Sequence, residues 1–139
     1  MGTLKVKKLY EDAKLPTRKH STDAGIDLYA YLEFNFDEIY PHESTVIHTG
    51  VCVDIPEGCF GFVTNKSKSQ FLIGAGIIDS GYTGEILVRL FNPTNEYLEL
   101  EHGCAIAQLL IIPCDMSDVE EVDEINKVTD RGATGGIVG

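Results

Sequence analysis

The sequence predicts an all-β, jelly-roll-like barrel, and three observations predict it. Short β-type runs recur between turn signals, sustained helical periodicity is absent, and the clearest run alternates apolar and polar residues with the two-residue period of a half-buried strand. Many short strands without a long helix favour an antiparallel barrel over an α/β fold. A chain of 139 residues that is 43% hydrophobic can build one core and is too short for two. The expected division is a barrel over residues 1–128 and a flexible glycine-rich tail over 129–139.

The expected strands, in order, are Leu4 to Leu9, Ile26 to Leu32, Thr45 to Ile55, Cys59 to Thr64, Gly84 to Phe91 and Ala105 to Ile112. In the third, Val51, Val53 and Ile55 alternate with Cys52 and Asp54, which turns one face to the core. Pro56-Glu57-Gly58 then forms a tight turn into the fourth. Gly74, Gly76, Gly81 and Gly84 punctuate a segment of β-branched residues, which predicts a hairpin whose backbone lies close to a ligand. After Pro113 the chain turns acidic, with Val119, Val122 and Ile125 spaced to pack as one more strand or an arm. The final run from Arg131 to Gly139 is too rich in glycine to hold a shape unaided, which predicts a mobile tail.

A formal net charge of -11 argues against nucleic acid or an anionic membrane as a partner, since both are usually met by a basic face. No apolar run reaches the roughly 18 residues that span a bilayer, and the first residues carry charge without an apolar stretch. The expected location is intracellular: cytoplasmic, or within a host cell for a viral protein. Cys52, Cys59, Cys104 and Cys114 form no C-x-x-C pair and sit in apolar segments, so they are expected as buried free thiols and not as a zinc site. His20, His42, His48 and His102 show no metal-ligand spacing and are assigned no chemistry.

The chemistry concentrates in Gly76-Ile77-Ile78-Asp79-Ser80-Gly81-Tyr82-Thr83-Gly84-Glu85-Ile86. A carboxylate on a glycine-flanked hairpin, three residues from a tyrosine, can hold and deprotonate a water while the ring lies against a sugar. The competing reading is that Asp-Ser-Gly-Tyr is turn chemistry, with Asp79 merely capping the bend. Four further segments matter in order: Ala24-Gly25-Ile26-Asp27-Leu28, Lys66-Ser67, Gly103 to Leu109 with Ala107-Gln108-Leu109, and Arg131-Gly132. With the segment from Gly76 to Ile86 as the third, this series resembles the five motifs of the trimeric dUTPase family across almost the whole chain.

The resemblance implies hydrolysis of dUTP to dUMP and pyrophosphate by a homotrimer. Asp79 would then be the general base that directs water at the α-phosphorus, and Tyr82 would lie under the deoxyribose. Backbone groups of Gly76, Ile77, Ile78 and Leu87 would read uracil, because fixed donors and acceptors leave cytosine with mismatched groups. Ser67, with Lys66 and Lys68 beside it, would hold phosphate oxygens, Gln108 would contact the phosphates or their waters, and Arg131 would clamp the phosphates from the tail. The same Lys-Ser-Lys-Ser run is also compatible with a solvated surface turn, Gln108 with a satisfied polar group in a strand, and Arg131 with solvent. Asp27 is read either as a residue near the metal waters or interface, or as a structural carboxylate. Mg²⁺ is the implied cofactor, held by triphosphate oxygens and waters without a dedicated protein cage.

The chain departs from the family pattern at several positions. Gly136 stands where the tail normally carries a uracil-stacking Phe, followed by Ile137 and Val138, and an aromatic cover is worth on the order of 1 kcal/mol. Lys66 replaces the usual Arg, a point charge in place of a bidentate fork. The interval from Ser67 to Asp79 is short for the family, Lys68 replaces a small residue, and Ala105 stands where a basic residue is frequent. Two other functions fit the scaffold. A dCTP deaminase would need a catalytic Glu where this chain has Arg89, and a binding or regulatory module would hold a nucleotide or protein without turnover.

Overall fold

The computed structural model describes residues 2–126, which form ten strands and no helix. They are β1 (Lys5–Lys8), β2 (Ile26–Tyr29), β3 (Phe36–Ile39), β4 (Ser44–His48), β5 (Val51–Asp54), β6 (Cys59–Thr64), β7 (Gly76–Ile78), β8 (Leu87–Phe91), β9 (Leu98–Glu101) and β10 (Ala105–Pro113). One sheet of four strands runs in the order β2-β10-β6-β7, and three antiparallel pairs, β1-β5, β3-β9 and β4-β8, complete the enclosure. Among the described residues no helix is long and apolar enough to cross a membrane.

Side-chain alternation explains the arrangement. In β5, Val51 and Val53 are buried, as is the following Ile55, while Cys52 and Asp54 face outward. In β8, Val88 and Leu90 point inward, and in β9 Leu98 and Leu100 do the same. Val53, Ile55, Val88, Leu90, Leu98 and Leu100 meet Leu28, Ile106 and Leu109 in one core. Each large aliphatic buried there contributes about 1.5–3 kcal/mol relative to exposure.

Several expected boundaries move. The expected strand from Thr45 to Ile55 divides at Gly50, whose φ of 70° is outside the extended region. The chain there leaves the pair with β8 and joins the pair with β1. The expected hairpin over residues 74–84 is not a paired one: β7 pairs with β6 and β8 pairs with β4, so residues 79–86 cross between two sheets. The four cysteines are free but only partly buried, because alternation turns Cys52 outward and the others lie at strand ends. Val119, Val122 and Ile125 form neither strand nor packed face, and each is exposed. The turn at Pro56-Glu57-Gly58 forms as expected, with Gly58 at φ 82° and the Cys59 amide donating to the Pro56 carbonyl at 3.1 Å.

Candidate functional site

The order of the four-stranded sheet sets the sequence motifs side by side. β2 carries Asp27, β10 carries Gln108, β6 leads into Lys66 and Ser67, and β7 opens the segment with Asp79. Register is tight enough that Gln108 lies opposite Asp27 on one side and Thr64 on the other. The motifs are therefore distant in sequence and adjacent in the sheet.

A cleft of about 470 Å³ lies between β7 and β8. Because β7 ends its sheet and β8 pairs with β4, both strands bring to it edges free of strand pairing, apart from Phe91 at the end of β8, which exchanges two backbone hydrogen bonds with Leu72. Such edges carry free amide and carbonyl groups, the chemistry that a flat base edge can complete. Val63, Ile78, Ile86 and Val88 supply an apolar floor, a desolvated setting in which mismatched polar groups are costly.

Asp79 and Tyr82 stand at this cleft. The bend between them is closed by the main chain, the Tyr82 amide donating to the Asp79 carbonyl at 3.0 Å. The Asp79 side chain is exposed, and no hydrogen bond among the described residues engages its carboxylate. This geometry disfavours the reading of Asp79 as a cap, since the turn does not use it. The Tyr82 hydroxyl donates to the Glu85 carbonyl at 2.6 Å. A Cβ at Gly84 would come within 2.7 Å of that hydroxyl, so Gly84 is what allows the ring to fold back.

A second group of residues gathers around Asn65. Lys66 Nζ donates to Asp27 Oδ1 at 2.5 Å, with both side chains partly buried. Asp27 is thus a charge partner that holds Lys66. Gln108 Nε2 donates to the Asn65 carbonyl at 2.7 Å. The Asn65 side chain then braces the following loop, donating to the Phe71 carbonyl at 2.7 Å and accepting from the Ile73 amide at 2.8 Å. Ser67 and Lys68 are exposed on that loop, and the Ser69 amide closes it on the Lys66 carbonyl at 3.2 Å. Gly25 lies directly against the Gln108 side chain, which a Cβ at that position would push aside.

Gly76, Ile77, Ile78, Asp79, Tyr82 and Leu87 all line the cleft, whereas Lys66, Ser67, Lys68 and Gln108 do not. Arg131 falls outside the described residues, as do Gly136 and the rest of the tail. Sequence reasoning missed Asn65 and Glu85. Asn65 could have been found as an Asx-type residue directly after a strand. Glu85 carried no signal, because its partners lie 35 and 37 residues away.

Among the described residues no three His, Cys, Asp or Glu side chains converge as a metal cage. The donor chemistry fits Mg²⁺ arriving on a ligand: this ion takes hard oxygen donors, keeps several waters and uses few carboxylates. The exposed Asp79 carboxylate and the hydroxyl of Ser67 are donors of that kind.

The sequence model of the dUTPase family matches residues 11–137. The deoxyuridine 5'-triphosphate nucleotidohydrolase of Mus musculus is 35% identical over 138 residues, covering 96% of this chain and 83% of the relative. A mutant dUTPase of Staphylococcus bacteriophage 80alpha, solved with dUpNHpp, superposes with a TM-score of 0.85 at 32% identity, covering 96% of this chain and 95% of that one. A mutant dUTPase from phage phi11 of S. aureus, whose structure describes the coordination of a structural Mg(II) ion, gives 0.82 at 29% identity, covering 91% of this chain and 100% of that one. With its motifs aligned in one sheet, its cleft between two free strand edges and this agreement along nearly its full length, the chain belongs to the dUTPase family.

Proposed function

We infer that the protein hydrolyses dUTP to dUMP and pyrophosphate, with Asp79 as the general base. The observation that carries this reading is the cleft itself, where free strand edges lie beside a carboxylate that no described residue engages. Uracil enters between β7 and β8 and is read by main-chain atoms of Gly76, Ile77, Ile78 and Leu87. Tyr82 lies under the deoxyribose. Asp79 orients a water and takes its proton as the water oxygen bonds to the α-phosphorus, and the bond from that phosphorus to the bridging oxygen breaks to release pyrophosphate. Mg²⁺, for which the Asp79 carboxylate and the Ser67 hydroxyl are hard oxygen donors, would supply charge compensation for the leaving group.

Ser67 and the amides of its loop bind phosphate oxygens, with Lys66, Lys68, Gln108 and Arg131 contributing charge and hydrogen bonds. The separation of this group from the cleft supports a site shared between copies of the chain, and the homotrimer implied by the family resemblance would provide that sharing. A nucleotide substrate and Mg²⁺ are intracellular solutes, which supports the cytoplasm as the place of action. Arg89 lines the cleft where a deaminase would need an acid, and this disfavours ammonia release from dCTP.

The test is pyrophosphate formation with Mg²⁺ across dUTP, dCTP, dTTP and UTP, read as phosphate after added pyrophosphatase. The expected result is turnover of dUTP, with kcat/KM for each of the others lower by at least about 100-fold. Tight dUTP binding without pyrophosphate would establish a regulatory module in its place.

A further inference from the structure

We propose that Glu85 is a positioning residue: by tying the turn between β4 and β5 to the cleft, it fixes the ring of Tyr82 and so sets the preference for deoxyribose over ribose. The proposal rests on the reading of Tyr82 as the sugar platform. Its ground is a set of contacts that the general-base chemistry does not use.

Glu85 sits two residues before β8, and its side chain is 16% exposed. One carboxylate oxygen accepts the Gly50 amide at 2.8 Å, and the other meets His48 Nδ1 at 2.9 Å. The neighbouring residue is held from the same turn. The Ile86 amide donates to the Val51 carbonyl at 3.0 Å, and the buried Thr49 hydroxyl donates to the Ile86 carbonyl at 2.7 Å. Residues 48–51 therefore grip residues 85 and 86 through four hydrogen bonds.

That grip passes directly to the cleft. The carbonyl of Glu85 is the acceptor for the Tyr82 hydroxyl, and Tyr82 is 44% exposed, with no buried pocket of its own to hold the ring. Where the Glu85 backbone sits decides where the phenol can reach. A ring displaced toward solvent opens space on the sugar's 2′ side, which a ribose hydroxyl can fill. Asp79 lies at the other end of the bend, closed by its own main-chain bond, so the displacement leaves the base in place. The sugar contact is made equally in ground state and transition state, so its loss appears in KM and not in kcat.

The experiment measures kcat and KM for dUTP and UTP in Glu85→Ala, Glu85→Gln, Tyr82→Phe and the Glu85→Ala/Tyr82→Phe double variant, with melting temperatures for each. Glu85→Ala is expected to raise KM for dUTP about fivefold and lower the dUTP:UTP ratio of kcat/KM about fivefold, with kcat held within about twofold. Glu85→Gln keeps an acceptor for Gly50 and is expected to restore the ratio. Tyr82→Phe removes the hydroxyl that reads Glu85, so adding Glu85→Ala to it should change the ratio no further. An unchanged ratio in Glu85→Ala, or two effects that multiply independently, overturns the proposal. Should Glu85→Ala fail to fold, His48→Ala removes only the more exposed partner and must lower the ratio in the same direction, about twofold; no change there also overturns it. Failure of the dUTPase reading is distinguishable, because it appears as absent pyrophosphate release in the wild-type protein.

Discussion

Replacing Asp79 by Asn is expected to lower kcat for dUTP by about 10²–10⁴-fold, the usual contribution of a positioned general base. The amide keeps the size and one oxygen of the carboxylate, so water can still be held, but the proton has nowhere to go. Little else should change. The bend at Asp79 is closed by backbone atoms, and its carboxylate bonds no described residue, so melting temperature should move by no more than the small amount typical of surface substitutions. KM should stay within about threefold, because Asp79 acts on the water and not on the base. Pyrophosphate release and calorimetric binding of dUpNHpp, measured on the same preparation, separate the two effects. Full turnover in the variant would remove Asp79 from the mechanism.

Mixing two inactive variants is expected to restore activity. Gln108 supports Asn65, and Asn65 braces the loop that carries Ser67, so Gln108→Ala disorganises the phosphate-binding group. Asp79→Asn disables the cleft. The phosphate-binding group does not line the cleft that holds Asp79. If each site combines the cleft of one copy with the phosphate loop of another, random trimers from an equal mixture place both intact halves together in about one site in four. Co-refolding the variants and assaying dUTP hydrolysis should therefore recover about a quarter of wild-type turnover. No recovery above either variant alone would show that each chain works with its own loop.

The legible parts of this chain are those governed by local alternation. Val51, Val53 and Ile55 were readable as an inward row because nothing but the two-residue period was needed. β3 was missed because three of its four residues are exposed and its polar Asp-Glu centre lacks an apolar pattern. β9 was overlooked although Leu98-Glu99-Leu100-Glu101 alternates fully, a signal present but too short to stand out beside longer runs. The division at Gly50 depends on which strands β4 and β5 pair with, and pairing is a non-local property.

The same contrast holds at the site. Asp79, Tyr82 and Gly76 were identifiable by motif, and the cleft gathers them with Leu87. The expected hairpin failed in an instructive way. A continuous segment implied strands paired with each other, whereas the fold spreads them onto β6 and β4 and thereby leaves the edge of β7, and that of β8 up to Phe91, free for a ligand. Lys66 was readable as a cation but not as the partner of Asp27, and the role of Gly25 emerged only from the clash that a Cβ would make with Gln108. Glu85 was silent because its meaning lies in a turn far away in sequence.

The most direct measurement is a crystal structure of the protein with dUpNHpp and Mg²⁺. The account predicts uracil bridging main-chain atoms of β7 and β8, Tyr82 against the sugar, and the Asp79 carboxylate facing a water in line with the α-phosphorus. A nucleotide bound elsewhere, or an Asp79 side chain turned away from the α-phosphate, would contradict it.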